Sequence, residues 1–373
     1  AQYIGQRNKE KANESARQVL FIITAISLAV SLVCLIFQKP LLRLIFGSVD
    51  AEVMRASETY FFYTALSFPF IAAYDSAASI FRAQDNTRGP MLISMISNVM
   101  NIVGNAVMIW VFHMGVAGAA LSTLISRVFC AVVVLIQLRK DRQEIVVRDY
   151  FKIRPNWSMI RRILGIGIPS GVENSMFQLG KLAIQSTVST LGTAAIAAQA
   201  MTNILENLNG IAAIGVGVGL MTIVGQCLGA GRKDEAVYYI KKLCVIAEIV
   251  VLVSCLVVFA LTKPVTILGG MEKQSADMCF HMVMWITIVK PFVWTMAFIP
   301  GYGLRAAGDV RFSMITSCCT MWACRFCLCV FLIRGLGFGP MGVWIGMFAD
   351  WTVRAIIFTW RFHSRKWLKH KVI

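Results

Sequence analysis

The chain reads as an all-α, polytopic membrane protein built from two related lobes, and three observations lead there. Apolar residues make up 57% of the 373 and charged ones only 15%, with a mean hydropathy of +0.69. Ten apolar runs each approach or exceed the length of about 20 residues that carries a helix across about 30 Å of hydrocarbon. A set of short motifs also recurs at an offset of 223 or 224 residues. A repeat of that length in an apolar chain suggests a transporter made of two similar bundles.

The runs lie at 19–37, 58–80, 90–112, 115–138, 161–190, 194–222, 243–262, 279–302, 312–333 and 339–362. They are continuous rather than alternating, which argues against a membrane barrel. Between the fourth and fifth, RKDRQEIVVRDYFKIRPNWSMI mixes basic residues with Tyr150 and Trp157. That composition suits a cytoplasmic linker with an interfacial segment. The expected organisation is a first lobe over 1–142, a linker over 143–160, and a second lobe with a basic tail over 161–373.

The repeat begins with AQYIGQRNKEKA at the start of the chain and GQCLGAGRKDEA at 225–236, which pair Gln2 and Gly5 with Gln226 and Gly229. Arg82-Ala83 recurs as Arg305-Ala306, and Gly118 of GVAGAALST recurs as Gly342 of GPMGVWIGM. Two spans precede the second copy and none precedes the first. The expectation is therefore an N-terminally truncated chain showing ten transmembrane helices of twelve, six per intact lobe. An even number per lobe makes the lobes parallel repeats about an axis along the membrane normal.

A net charge of +17 raises the question of nucleic acid, but its distribution answers it. About 25 of the 36 Lys and Arg fall in alternate connections and at the two ends. By the positive-inside rule those connections and both ends are cytoplasmic, in a multi-pass plasma (inner) membrane protein with no nucleic-acid partner. The eleven cysteines lie mostly within spans, and Cys324-x-x-Cys327 has no accompanying His or second pair. They read as small apolar residues, so neither a disulfide framework nor a metal site is expected. His113, His281, His363 and His370 are scattered, and no phosphate-binding G-x-x-x-x-G-K-[ST] loop is present. Enzymatic chemistry and ATP-driven transport therefore both lack support.

The duplicated Q-x-x-G turn, IFRAQDNTRGPM, the Asn-rich helix followed by GVAGAALST, and IGIPSGVENSMFQLGKL resemble the multidrug and toxic compound extrusion (MATE) transporters. The likeness runs from the family's third helix to its twelfth. It implies two six-helix lobes and alternating access. It also implies export of organic cations, drugs or other amphipathic compounds in exchange for Na⁺ or H⁺, by a protein that needs no cofactor and acts as a monomer. A lipid-linked oligosaccharide flippase of similar architecture is the alternative, and a markedly basic cavity would favour it. One monovalent cation moving down 100 mV supplies about 2.3 kcal/mol, enough for roughly a fiftyfold substrate gradient.

Ionisable and amide side chains inside spans are costly and mark candidate sites. Asn98, Asn101 and Asn105 share a helix face, positioned either to line a cavity or to bond between helices. Among MATE transporters the Asn105 position is often an ion-binding Asp, so the amide departs from the family pattern. Asp75 is the other first-lobe carboxylate at membrane depth. In the second lobe Asn174, Gln178, Lys181 and Gln185 form one stripe beside Glu173, and Gln199, Asn203 and Glu206 form another. Arg325, Asp350 and Arg354 make a charge cluster in the last two helices, with Asp350 and Arg354 spaced to pair. Glu173 or Glu206 is the first choice for coupling and also the expected balance for the spare arginine. A carboxylate among apolar helices can carry a proton, whereas one locked in a tight ion pair is structural.

Overall fold

The computed structural model describes residues 1–47, 50–140, 144–370 and 372, and it is helical throughout with no strand among them. The chain divides into two units. One holds Arg7–Ile163 with Ala1 and Tyr3, and the other holds Leu164–Ile373 with Gln2 and Ile4–Gln6. The expected boundary between 142 and 143 falls on residues outside those described.

In the first unit α1 runs Lys9–Ile36, starting well before its apolar run. Asn8 caps it: the side-chain oxygen accepts the Lys11 amide at 3.0 Å, with Glu10 in the first turn to oppose the helix dipole. The next traverse is broken into α2, Ala51–Leu66, and α3, Phe68–Ala83. Pro69 sits in the first turn of α3 and has no N–H to give to the preceding turn. Ser67 at the joint turns its hydroxyl onto the Thr64 carbonyl at 2.6 Å and accepts from Arg127 Nη1 at 2.5 Å. Helix α4 covers Arg88–Ala106 and passes into a π turn at Val107–Val111, and α5 covers Gly115–Leu138.

The linker segment is fastened to the first unit. Its amides at Ile145, Val146 and Asn156 donate to Gln84 Oε1, Asn13 Oδ1 and Gln18 Oε1 at 2.9, 2.9 and 3.1 Å. Ile145 and Val147 are buried beneath. Side-chain amides thus satisfy a backbone that has no ladder of its own. Tyr150 donates to the Leu135 carbonyl at 2.6 Å, and burial pushes its hydroxyl up to about 12 against the opposing pull of Arg139. The folded value lies above the unfolded one. Its stabilisation is therefore complete below about pH 10 and is lost as pH rises towards 12. A difference titration of tyrosinate absorbance between Tyr150→Phe and the parent protein is expected to place the missing group near pH 12. A difference centred at pH 10 would contradict this.

In the second unit α6 runs Trp157–Val188, mostly within that unit, followed by α7, Thr193–Gly229, α8, Lys233–Leu268, and α9, Lys273–Ala306. Helix α10, Val310–Cys319, continues through π segments at Thr320–Cys327 and Phe331–Gly335, and α11 is Met341–His363. The core lies among α7, α8, α9 and α11, where Leu205, Leu220, Val251, Ile286, Trp344 and Trp351 are buried. The tail folds back rather than trailing, with Trp367 fully buried and stacked on Phe362.

Eight of these helices are long and apolar enough to cross a membrane. The two further traverses expected correspond to α6, whose polar stripe lowers its hydropathy, and to α2–α3, which Ser67 divides. The repeat survives in local geometry. The π turns Val107–Val111 and Phe331–Gly335 stand 224 residues apart. Gly118 packs on Met108 as Gly342 packs on Leu332 and Ile333.

The duplicated Q-x-x-G turn is used reciprocally within the second unit. A Cβ on Gly5 would collide with the Gln226 carbonyl, and one on Gly229 with the Gln2 carbonyl. Gln2 Nε2 also donates to the Ala306 carbonyl at 2.8 Å, tying the turn to the repeated Arg-Ala pair. Gly229→Ala is expected to cost about 1–3 kcal/mol through overpacking, read as a lower melting temperature in detergent. Gly219→Ala, at an open helical position, is expected to be neutral or slightly stabilising. Equal effects at the two sites would refute the close-approach argument.

Candidate functional site

The second unit carries an open cleft of about 430 Å³ with many polar residues on its wall. Gln178, Lys181 and Gln185 reach it from α6, three and four residues apart and so on one face. Gln199, Asn203, Glu206 and Asn207 reach it from α7, and Arg325 from the π segment of the next-to-last helix. The two stripes expected from sequence therefore meet. Gln199 is buried, donating to Asn203 Oδ1 at 3.3 Å and accepting Trp344 Nε1 at 3.1 Å, which fixes its amide orientation.

The carboxylates are engaged. Glu206 Oε1 receives Lys290 Nζ at 2.7 Å, and Lys290 is wholly buried between that acid and the rings of Trp294 and Trp351. Glu173 is also buried, but it points elsewhere. Arg305 Nη2 binds its Oε1 at 2.6 Å and Ser313 Oγ donates to Oε2 at 3.4 Å. Asp350 and Arg354 pair as their spacing suggested, at 3.1 Å, and Arg354 also donates to Ser317 and Thr320. Neither Glu173 nor Glu206 balances Arg325, contrary to the sequence expectation, because α9 supplies each with a closer cation. Asn174 turns to the Ser170 carbonyl at 2.9 Å and is exposed.

Arg325 stands apart. It is 7% exposed, and its Nε is buried without a partner. Among the described residues its guanidinium forms no hydrogen bond or ion pair and lies over the Phe177 ring at 5.2 Å. Lys181 Nζ lies over the same ring at 5.3 Å and likewise has no carboxylate partner among the described residues.

In the first unit the asparagine stripe is drawn into helix packing. Asn105 Nδ2 donates to Asn101 Oδ1 at 3.3 Å, Asn101 Nδ2 donates to Thr123 Oγ1 at 3.2 Å, and Ser122 Oγ donates to the Asn101 carbonyl at 3.1 Å. Asn98 and Asp75 are exposed, and Asp75 has no ion pair among the described residues. Arg82 and Arg127 act on Asp75 only at longer range.

Sequence reasoning passed over Lys290, Asn207 and the pairing role of Arg305. Lys290 interrupts the apolar run ITIVKPFVW, and that isolated charge was the available signal.

The MatE family model matches residues 1–107 and 169–331, well over half of the chain. The chain belongs to the MatE family. Two relatives align with this MatE chain along nearly its whole length. The probable multidrug resistance protein NorM of Thermotoga maritima is 26% identical over all of this chain and 80% of its own. The uncharacterized transporter YisQ of Bacillus subtilis is 27% identical over 99% of this chain and 81% of its own. The fold is similar to that of a multidrug resistance MATE family transporter whose structure was solved in an outward-facing conformation, with a TM-score of 0.87 at 19% identity over 98% of this chain and 82% of the other. MATE in complex with MaL6 gives 0.88 at 18% identity over 98% and 82%. The MatE protein is thus a multi-pass membrane transporter and not an enzyme.

Proposed function

We propose that this protein is a secondary antiporter that exports amphipathic small molecules, the class that includes organic cations and drugs, by alternating access of its two units, with Na⁺ or H⁺ as the driving ion. It would sit in the plasma membrane as a monomer with both ends of the chain cytoplasmic. The observation that carries the reading is the 430 Å³ cavity. A lipid-facing stripe of amides and charges would be too costly, so such a stripe serves a site reached by water and solute. Its volume suits a drug-sized ligand better than an oligosaccharide; the basic residues on its wall are also what a flippase would show, so polyprenyl phosphate binding is the measurement that separates the two.

For the driving cation the assignment moves from Glu173 and Glu206 to Asp75. The first two are held by Arg305 and Lys290 at 2.6 and 2.7 Å, while Asp75 has no such partner among the described residues. In vesicles holding the full chain, Asp75→Asn is expected to abolish cation-driven dye efflux. Glu173→Gln and Glu206→Gln should keep its dependence on the ion gradient. The reverse pattern would return coupling to the second unit, and efflux indifferent to any gradient would overturn the antiport reading.

A further inference from the structure

We infer that the second-unit cavity is an anion site, and that the transported class is amphipathic molecules carrying a carboxylate or a similar oxyanion. This rests on the proposed efflux function and narrows its substrate.

Two cations, Lys181 and Arg325, line the cavity, and two more are buried behind its lining residues, Lys290 on Glu206 and Arg354 over Phe177. Facing them are two carboxylates, Glu206 and Asp350, and each already has its own cation, at 2.7 and 3.1 Å. The groups acting on Arg325 at longer range are Asp350, Glu206, Arg354 and the Cys329 thiol, so among the described residues the acids within reach are the two already paired. Lys181 and Arg325 are left as two positive charges on the wall of one cavity.

A buried guanidinium without an anion is costly, and structures keep such a group where a counter-charge arrives from elsewhere. Arg325 offers a planar fork suited to two parallel N–H···O bonds with an oxyanion, and Lys181 adds a point charge beside it. Gln178, Gln185, Asn203 and Asn207 provide neutral donors and acceptors for the remainder of a ligand. Phe177, already beneath both cations, offers an aromatic face.

The backbone at Arg325 points the same way. Thr320–Cys327 is a π segment, a widened helix of a kind frequent at functional sites. At the 224-residue offset Arg325 corresponds to Asn101. There the neutral amide is bonded to Thr123, and that helix is α-helical at the same place. The charge and the widened turn occur together in the second copy, which accords with a binding role for Arg325.

The test uses the purified full chain in nanodiscs and equilibrium dialysis of two labelled probes that share a naphthyl ring, 2-naphthoate and (2-naphthylmethyl)trimethylammonium, with a polyprenyl phosphate as a third arm. Naphthoate should bind saturably and at least tenfold more tightly than the cation. Arg325→Gln should weaken it by about 10- to 100-fold, the loss of a charged hydrogen-bonding pair. Lys181→Gln should weaken it by a smaller factor. Melting curves on the same samples should show both variants folded, since each removes an unpaired charge. If Arg325→Gln does not fold, Arg325→Lys decides, because it keeps the charge but loses the fork. An intermediate loss of naphthoate affinity supports the inference, and unchanged affinity overturns it. Preference for the cation, preference for the polyprenyl phosphate, or no saturable naphthoate binding would each overturn the inference. Naphthoate binding in a protein that shows no gradient-driven efflux would leave the anion site standing and overturn the antiporter reading alone.

Discussion

Lys290→Met is expected to destabilise the protein by about 3–5 kcal/mol, the usual loss when one partner of a buried pair is removed. Lys290 is fully buried and its ammonium meets Glu206 at 2.7 Å, so the substitution leaves a carboxylate facing apolar rings with no cation of its own. It also removes the ammonium from over Trp294 at 5.0 Å, a contact worth about 1–2 kcal/mol when desolvated. The companion Lys290→Met/Glu206→Gln should recover most of the loss, because an uncharged pair has little desolvation to offset. Urea melts of the single and double variants in mild detergent complete the cycle. Additive effects would show that Glu206 and Lys290 act separately, and a negligible loss in Lys290→Met would show that the pair is not structural.

Much of the fold was legible because the bilayer restricts what a spanning chain can do. Every backbone polar group must be paired within its own segment, so apolar runs of the right length become helices. What escaped were the places where one side chain changes the outcome. Pro69 and Ser67 divide a run whose hydropathy looks continuous, and the Gln84, Asn13 and Gln18 amides capture a linker whose composition does not show where it docks. The polar stripes on α6 and α7 were readable from helical spacing, and they do converge. Their partners were less readable, because a contact between Glu206 and Lys290 joins residues 84 apart, and between Glu173 and Arg305 residues 132 apart. Only the i, i+4 pair of Asp350 and Arg354 lay within reach of a one-dimensional argument. The repeat hinted at more than was taken from it. Matching Asn101 to Arg325 places a neutral residue and a charged one at the same point of two related helices.

Asp350→Asn is expected to lower stability by a similar 3–5 kcal/mol or so while raising affinity for anions. Asp350 is fully buried and is the carboxylate that Arg354 meets at 3.1 Å. The amide preserves shape and one acceptor oxygen but leaves the buried Arg354 charge, with its Nε already unpartnered, without a paired anion. It also removes a negative charge that acts on Arg325, so the cavity becomes more positive without altering its lining. Opposite movements of stability and of naphthoate affinity separate this outcome from simple loosening, which would lower both. The double change Asp350→Leu/Arg354→Leu should be close to neutral in stability, because replacing both members of a buried pair by apolar residues removes the desolvation cost with the attraction. Melting temperature and dialysis on the same preparation test both statements. If Asp350→Asn lowers naphthoate affinity along with stability, then Asp350 shapes the cavity rather than setting its charge.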